Sequence, residues 1–254
     1  MRRDLRRRGR STGDPHPRRE RTGLTGDMVT SNDIHTEADD PMLLSTEAAR
    51  RLLGDAPWRR FAVLGDSIAQ GVRDPSPGYL NLGWADRVAD ILTSIEPAVA
   101  YRNTGRQGAT SAQVVAEQLD EIIEFRPDLV HIVCGGNDLF TGHGSIAALR
   151  TNLDTLFGAL ARTGAQLSTF TMADVWDLER MAPMRPMRAP MARVNEVIRA
   201  TAARYDAVLV DFWDHPLRLR PDLMSADLIH FTASGHAVVA AEVIRALGRR
   251  VSAH

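Results

Sequence analysis

Ser67 and, far along the chain from it, Asp227 and His230 are of the types that together perform nucleophilic acyl transfer. A serine hydroxyl is a poor nucleophile until a base takes its proton, and an imidazole does this best when a carboxylate holds its other ring nitrogen. In SADLIHFTASGH the aspartate and histidine stand three apart, close enough for the Asp227 carboxylate to take the Nδ1 proton of His230. Attack on a carbonyl also creates an oxyanion, which needs preorganised donors. Two segments offer them: Asn103-Thr104-Gly105-Arg106-Gln107-Gly108, whose glycines let backbone N–H groups approach a ligand, and Gly135-Gly136-Asn137-Asp138, whose asparagine carries an uncharged amide donor.

Such residues work only if the chain delivers them to one place. Ser67 follows a short apolar run in FAVLGDSIAQG, the pattern of a strand buried on both faces of a parallel sheet. The rest of the chain alternates. A helix is expected over 45–54, strands over 59–65 and 98–104, helices over 83–95 and 111–123, the latter with Ser111 as cap, and a strand over 128–136 after Pro127. Then follow a long helix over 145–163, a strand over 165–172, a proline-started helix over 190–205, a strand over 207–213 and a last helix from 234 to 249. Strict alternation of this kind predicts an α/β fold, three layers with a five-stranded parallel sheet in the flavodoxin-like order 2-1-3-4-5. In that order the first strand lies between the second and third. Its serine would therefore sit in a crevice flanked by the glycine loop and the asparagine.

The blocks GDS, NxGxxG, GGND and DxxH, in this order and each after a strand, resemble those of the SGNH (GDSL-type) hydrolases over residues 59–249. The resemblance implies a three-layer α/β/α fold, a Ser67 nucleophile, His230 as general base and acid, Asp227 as its orienter, and an oxyanion hole formed by Ser67, Gly108 and Asn137. Gly105 competes for the oxyanion role, and Gly108 is preferred because it is the glycine nearest the next helix start, where amide N–H groups favour negative charge. Two departures stand out: Ile68 replaces the family's leucine without a change of volume, and Phe231 stands where a proline often follows the histidine. The implied activity is a serine esterase cleaving acyl or acetyl esters of a small molecule or sugar through an acyl-enzyme, with transfer to an alcohol acceptor as its close rival. A flavodoxin-like ligand-binding module is the rival of another class, but GDSIAQG lacks the GxGxxG spacing of a dinucleotide site.

Composition narrows the chemistry further. The chain has 254 residues and a net charge of −1, all 31 basic residues are arginine, and without lysine a Schiff base, a P-loop lysine or a Ser-Lys pair is excluded. No cofactor and no metal is expected, since His143 and His215 have no zinc-like spacing with other ligands. The single Cys134, in an apolar run, reads as a small buried hydrophobe and fits a cytoplasmic protein. No segment has the length of a membrane span, and no apolar stretch follows the amino-terminal arginines as in a secretory signal. Residues 1–43 read as a disordered basic extension, with Met28 or Met42 as alternative starts, and residues 44–254 as the hydrolase domain. A small acyl ester is the expected partner; nucleic acid is not, because nothing aromatic is interleaved with the arginines. Oligomeric state is left open.

Other residues have simpler readings. Asp66 and Asp138 suit turn and cap bonding, and His131 and His236 suit structural roles. Met181, Met184, Met187 and Met191, in the segment MAPMRPMRAPM, fit either an adaptable lip over a substrate or an irregular connection covering the core. Trp84 and Tyr79 would line the acyl pocket or pack beneath it.

Overall fold

In the computed structural model, which describes residues 35–140 and 145–253, the apolar runs of the sequence become the strands of one sheet. In chain order the elements are α1 (Thr46–Leu53), β1 (Arg60–Gly65), α2 (Ser67–Gln70), β2 (Arg73–Asp74), α3 (Trp84–Ile95), β3 (Ala100–Asn103), α4 (Ser111–Glu117), α5 (Leu119–Phe125), β4 (Leu129–Val133), α6 (Gly136–Phe140), α7 (Ile146–Ala161), β5 (Gln166–Phe170), α8 (Arg188–Arg204), β6 (Val208–Val210), β7 (Phe231–Thr232) and α9 (Ala233–Ser252). The large sheet is parallel throughout, in the order β3-β1-β4-β5-β6. Counting its five strands alone, this is the expected 2-1-3-4-5 arrangement.

Burial follows from the sheet's position between layers. Helices α1, α3 and α9 pack together on one side, and α4, α7 and α8 on the other. The central strand β4 is therefore buried at all five positions, and β1 at all but Arg60. Full burial of Phe61, Trp84, Phe157, Phe170 and Phe212 anchors this core, each aromatic side chain contributing on the order of 2–3 kcal/mol. His131 faces the same core, stacked among Trp84 and Phe170 with its Nδ1 2.8 Å from Ser168 Oγ, and burial pushes its pKa down to about 3.

Four features differ from the sequence reading. The helix expected over 111–123 is two helices, α4 and α5, broken at Gln118, and its cap is Thr110 rather than Ser111: Thr110 and Gln113 form a reciprocal capping box. A second, two-stranded parallel sheet joins β2 to β7, strands too short to register as periodicity. The methionine-rich segment is ordered, as a 3₁₀ helix over Glu179–Met187 running directly into α8. Finally, residues 35–43, assigned by composition to the extension, lie on the domain. Glu37 pairs with Arg87, and the buried Asp40 with Arg220. The remainder of the expected extension, residues 1–34, lies outside the described residues, as does His143.

Candidate active site

The turn that carries Ser67 begins where β1 runs out. Gly65 adopts φ +145°, and a Cβ there would lie 1.7 Å from the Val133 carbonyl oxygen, so only glycine fits. The chain then turns at once into α2. Asp66 caps this helix, accepting from the Ile68 amide at 2.9 Å, and Trp84 packs beneath it, its indole N–H donating to the Ile68 carbonyl at 2.8 Å. Ser67 is thus the first helical residue, 5% exposed, on the wall of a cleft. Burial pushes the Asp66 carboxyl up to about 7; the Ile68 hydrogen bond and the field of His230 act against that rise, and the nearby Asp138 adds to it.

Beside α2 the two glycines of the second block have different tasks. Asn103 holds the loop, its Oδ1 accepting from the Gly105 amide at 2.9 Å and its Nδ2 donating to Ala69 O at 2.8 Å. Gly105 lies flat on α2, where a Cβ would come within 2.4 Å of the Gln70 nitrogen. Its amide is already engaged and its face covered. Gly108 is the opposite case: it is exposed, nothing lies within 4 Å of where its Cβ would be, and among the described residues its amide donates to no protein acceptor. The Ser67 amide is likewise without a protein acceptor. Asn137 closes this group from α6, donating one Nδ2 hydrogen to Ala109 O at 3.0 Å, and among the described residues the other has no acceptor. Its neighbour Asp138 is an anchor: the buried carboxylate accepts from the Ser111 amide at 2.9 Å and the Ser111 hydroxyl at 2.5 Å, tying α6 to the start of α4.

The imidazole comes from the loop before α9. Asp227 Oδ2 lies 2.6 Å from His230 Nδ1, and its Oδ1 accepts from the amides of Ile229 at 2.9 Å and His230 at 3.0 Å. Partial burial opposes ionisation of Asp227, but these hydrogen bonds prevail and hold its carboxyl below the usual carboxylate range. With Nδ1 occupied, Nε2 is the nitrogen left to exchange protons. Ser225 stabilises the loop: its hydroxyl donates to Phe231 O at 2.8 Å and accepts from the Asp74 amide at 3.0 Å, and its own amide donates to His230 O at 2.7 Å. Phe231, which stands where a proline often follows the histidine, belongs to β7 and lines the cleft.

Ser67, Asn137 and the residues on both sides of His230 therefore border one cleft. Among the described residues the Ser67 hydroxyl makes no hydrogen bond to the ring; in ligand-free sites such contacts commonly tighten only with substrate bound. From Ser67 inward the wall is apolar, formed by Met172, Met181, Met184, Met191 and Met224 with Trp176, around a cavity of about 80 Å³, and Phe140 and Ile229 stand part-exposed at its rim. Both readings of the methionine segment hold in part: Met181, Met184 and Met191 line the cleft, and Met187 packs against the core. Trp84 and Tyr79 do not line it. Trp84 lies beneath α2, and Tyr79 bonds Asp40 at 2.8 Å. His236 is structural, its Nδ1 accepting from the Trp84 amide and its Nε2 donating to Val72 O, each at 3.2 Å.

Sequence reasoning missed Gln118 and Ser225. The only trace of Gln118 was a polar residue at a core-facing point of an amphipathic helix.

A family model described as GDSL-like Lipase/Acylhydrolase matches residues 63–238. An acetylxylan esterase from Geobacillus stearothermophilus is 25% identical over 206 residues, covering 74% of this chain and 94% of that protein. Among solved structures, that enzyme superposes with a TM-score of 0.61 at 23% identity, over 75% of this chain and 94% of its own. A lipase/acylhydrolase from Enterococcus faecalis gives 0.61 at 23% identity, over 76% and 96%.

Proposed function

The chain belongs to the GDSL-like lipase/acylhydrolase family, and on that premise we propose that it hydrolyses carboxylic esters through an acyl-enzyme on Ser67. Neutral His230 takes the Ser67 proton on Nε2 as Oγ attacks the ester carbonyl carbon, and Asp227 stabilises the imidazolium that forms. The carbonyl oxygen, now an oxyanion, accepts from the amides of Ser67 and Gly108 and from Asn137 Nδ2. Collapse breaks the bond to the alcohol oxygen, which leaves with the proton from Nε2. Water then repeats the sequence: its proton goes to Nε2, its oxygen bonds the acyl carbon, and the Ser67 bond breaks as Oγ recovers a proton. One carboxylic acid and one alcohol leave, and no cofactor takes part.

One arrangement carries this reading: Ser67 and Asn137 border one cleft with Ile229 and Phe231, the neighbours of the Asp227-paired His230, and among the described residues the amides of Ser67 and Gly108 have no protein acceptor. The acyl group is assigned to the methionine-lined side. It must remain on the enzyme through both half-reactions, whereas the alcohol needs a free exit, and the exposed Gly108 side provides one. At roughly 10–15 Å³ per water-sized position, the cavity holds more than an acetyl group fills and favours a short aliphatic acyl chain. A small acyl ester is thus the expected substrate, and the sugar acetates suggested by the esterase relative are the narrower alternative. The test combines a fluorophosphonate probe with a series of p-nitrophenyl esters. Labelling confined to Ser67 and lost in Ser67→Ala, with turnover abolished, is expected; retained turnover in that variant rejects the reading. A kcat/KM that peaks at acetate rejects the chain assignment alone.

A further inference from the structure

Strand β1 carries the nucleophile, but its two neighbours do not accompany it equally far. On the β4 side the ladder continues past the strand end, with the Asp66 amide donating to Val133 O at 3.0 Å. On the β3 side the paired register ends two residues earlier, at Val63, whose carbonyl accepts from the Thr104 amide at 2.9 Å; beyond it the departing glycine loop returns one bond, from the Arg106 amide to Gly65 O, and among the described residues gives the Gly65 amide no backbone acceptor. The N–H and C=O of Gly65 point to that vacated side. Unpaired and buried, the N–H would carry a desolvation penalty and leave the turn free to rock.

The side chain of Gln118, 4% exposed, occupies the gap. Its Oε1 accepts from the Gly65 amide and its Nε2 donates to the Gly65 carbonyl, both at 2.8 Å. The same Oε1 accepts from the Thr104 hydroxyl at 3.1 Å, and the Gly65 carbonyl also accepts from the Arg106 amide at 3.1 Å. One side-chain amide thus does what a strand residue would do, and it joins the nucleophile turn to the glycine loop. The helix yields to allow it: α4 and α5 are interrupted at Gln118, whose backbone leaves the helical region at φ −121°, ψ −30°. An unbroken helix over 111–125 would have been the locally favoured outcome for this sequence.

We propose that Gln118 is a positioning residue for ester hydrolysis, its amide standing in for the missing strand at Gly65 and setting the Ser67 amide and hydroxyl against the Gly108 amide across the joint with Thr104. This rests on the assignment of Ser67 as nucleophile. Gln118 touches no reacting atom, so it acts on the geometry of the oxyanion donors and leaves the acyl pocket as it is. Its removal therefore lowers kcat while KM stays nearly constant.

The experiment measures kcat and KM on p-nitrophenyl butyrate for wild type, Gln118→Met, Gln118→Glu, Thr104→Val and Ser67→Ala, with circular dichroism to score folding. Gln118→Met, similar in length but without the amide, is expected to lose on the order of 10²-fold in kcat at unchanged KM. Gln118→Glu adds a signature that general destabilisation does not produce. A protonated carboxyl offers the same donor and acceptor as the amide, and an ionised one offers acceptors only, aimed at the Gly65 carbonyl. Its kcat relative to wild type at the same pH should be near unity at the acid end, then fall about tenfold per pH unit once the introduced carboxyl ionises, while the fold persists. Folded Gln118 variants with kcat within about twofold of wild type and a flat ratio across pH overturn the proposal. If neither folds, Thr104→Val decides: a several-fold lower kcat at constant KM supports the joint, and an unchanged kcat overturns it. Ser67→Ala separates the two levels, because activity surviving there refutes the nucleophile assignment whatever Gln118 does.

Discussion

The two halves of the candidate site are held in different ways. The serine half is built into the large sheet: Gly65 and Asp66 are buried, Trp84 and Gly105 pack against α2, and the ladder to β4 runs through the turn. The histidine half hangs on a loop. The side chain of Asp227 is 48% exposed, and the loop is secured by the two-residue pairing of β2 with β7, by Ser225, and by Arg180, which donates to Ser225 O at 3.0 Å. A site assembled from a rigid half and a tethered half should fail in two distinguishable ways. Changes to the backbone of the sheet side should damage the fold, and changes on the loop side should damage turnover first.

The largest effect is expected at Gly65. In Gly65→Ala the new methyl would meet the Val133 carbonyl oxygen at 1.7 Å in a backbone conformation that L residues rarely adopt. A loss above about 4 kcal/mol is expected, read as a collapse of the urea midpoint or failure to express folded protein. A stable, active Gly65→Ala would erase the contrast between the halves.

Asp227→Asn should do the reverse. The amide oxygen can keep accepting from Ile229 and His230, so the loop stays folded, but the NH₂ now faces His230 Nδ1 and selects the wrong tautomer. A fall of roughly 10²–10⁴ in kcat with little change in melting temperature is expected. Equal damage to stability and turnover would mean that the carboxylate serves the loop rather than the ring.

Asp66 tests the cost of the rigid half. Its folded-state pKa of about 7 lies above the ordinary aspartate value of 3.8, because burial disfavours the charge. The sign follows from proton counting. Below about pH 4 both states are protonated and Asp66 is neutral to the balance; as pH rises toward 7 the unfolded chain releases the proton and the folded chain keeps it, so stability falls; above 7 the loss is complete. The slope for one proton is about 1.4 kcal/mol per pH unit. Asp66→Asn keeps an oxygen for the Ile68 amide and cannot ionise. Its stability relative to wild type should therefore grow across that window and then level off, as measured by urea titration at successive pH values. A flat difference would show that the buried carboxyl is not destabilising the folded state.

The same contrast explains what the sequence made legible. The rigid half was readable because its determinants are local: a six-residue apolar strand, a glycine that must turn, and a serine that must follow. Strand order came from alternation and chirality alone. The break at Gln118 was not readable, because its cause is Gly65, distant in sequence and adjacent only after folding. Nor was the packing of residues 35–43: Asp40 and Tyr79 meet Arg220 across the fold, and a short charged segment gives no sign of a partner 180 positions away. Asp227 and His230 could be named from their spacing, but the Ser225 knot that steadies them joins Asp74 to Phe231 and leaves no periodic trace.

That knot supplies the mildest test. Ser225→Ala leaves the Asp74 amide and the Phe231 carbonyl each without the hydroxyl between them, a loss of about 1–2 kcal/mol. The Asp227 and His230 contacts within the loop are untouched, and the Ser225 amide still donates to His230 O. The ring should therefore keep its tautomer but wander relative to Ser67, lowering kcat by about tenfold with an unaltered pH dependence. A shifted pH profile would place Ser225 in the ionisation of the Asp227–His230 pair. A kcat equal to wild type would show that β2 and β7 hold the base loop without the hydroxyl, which makes the tethered half as rigid as the sheet.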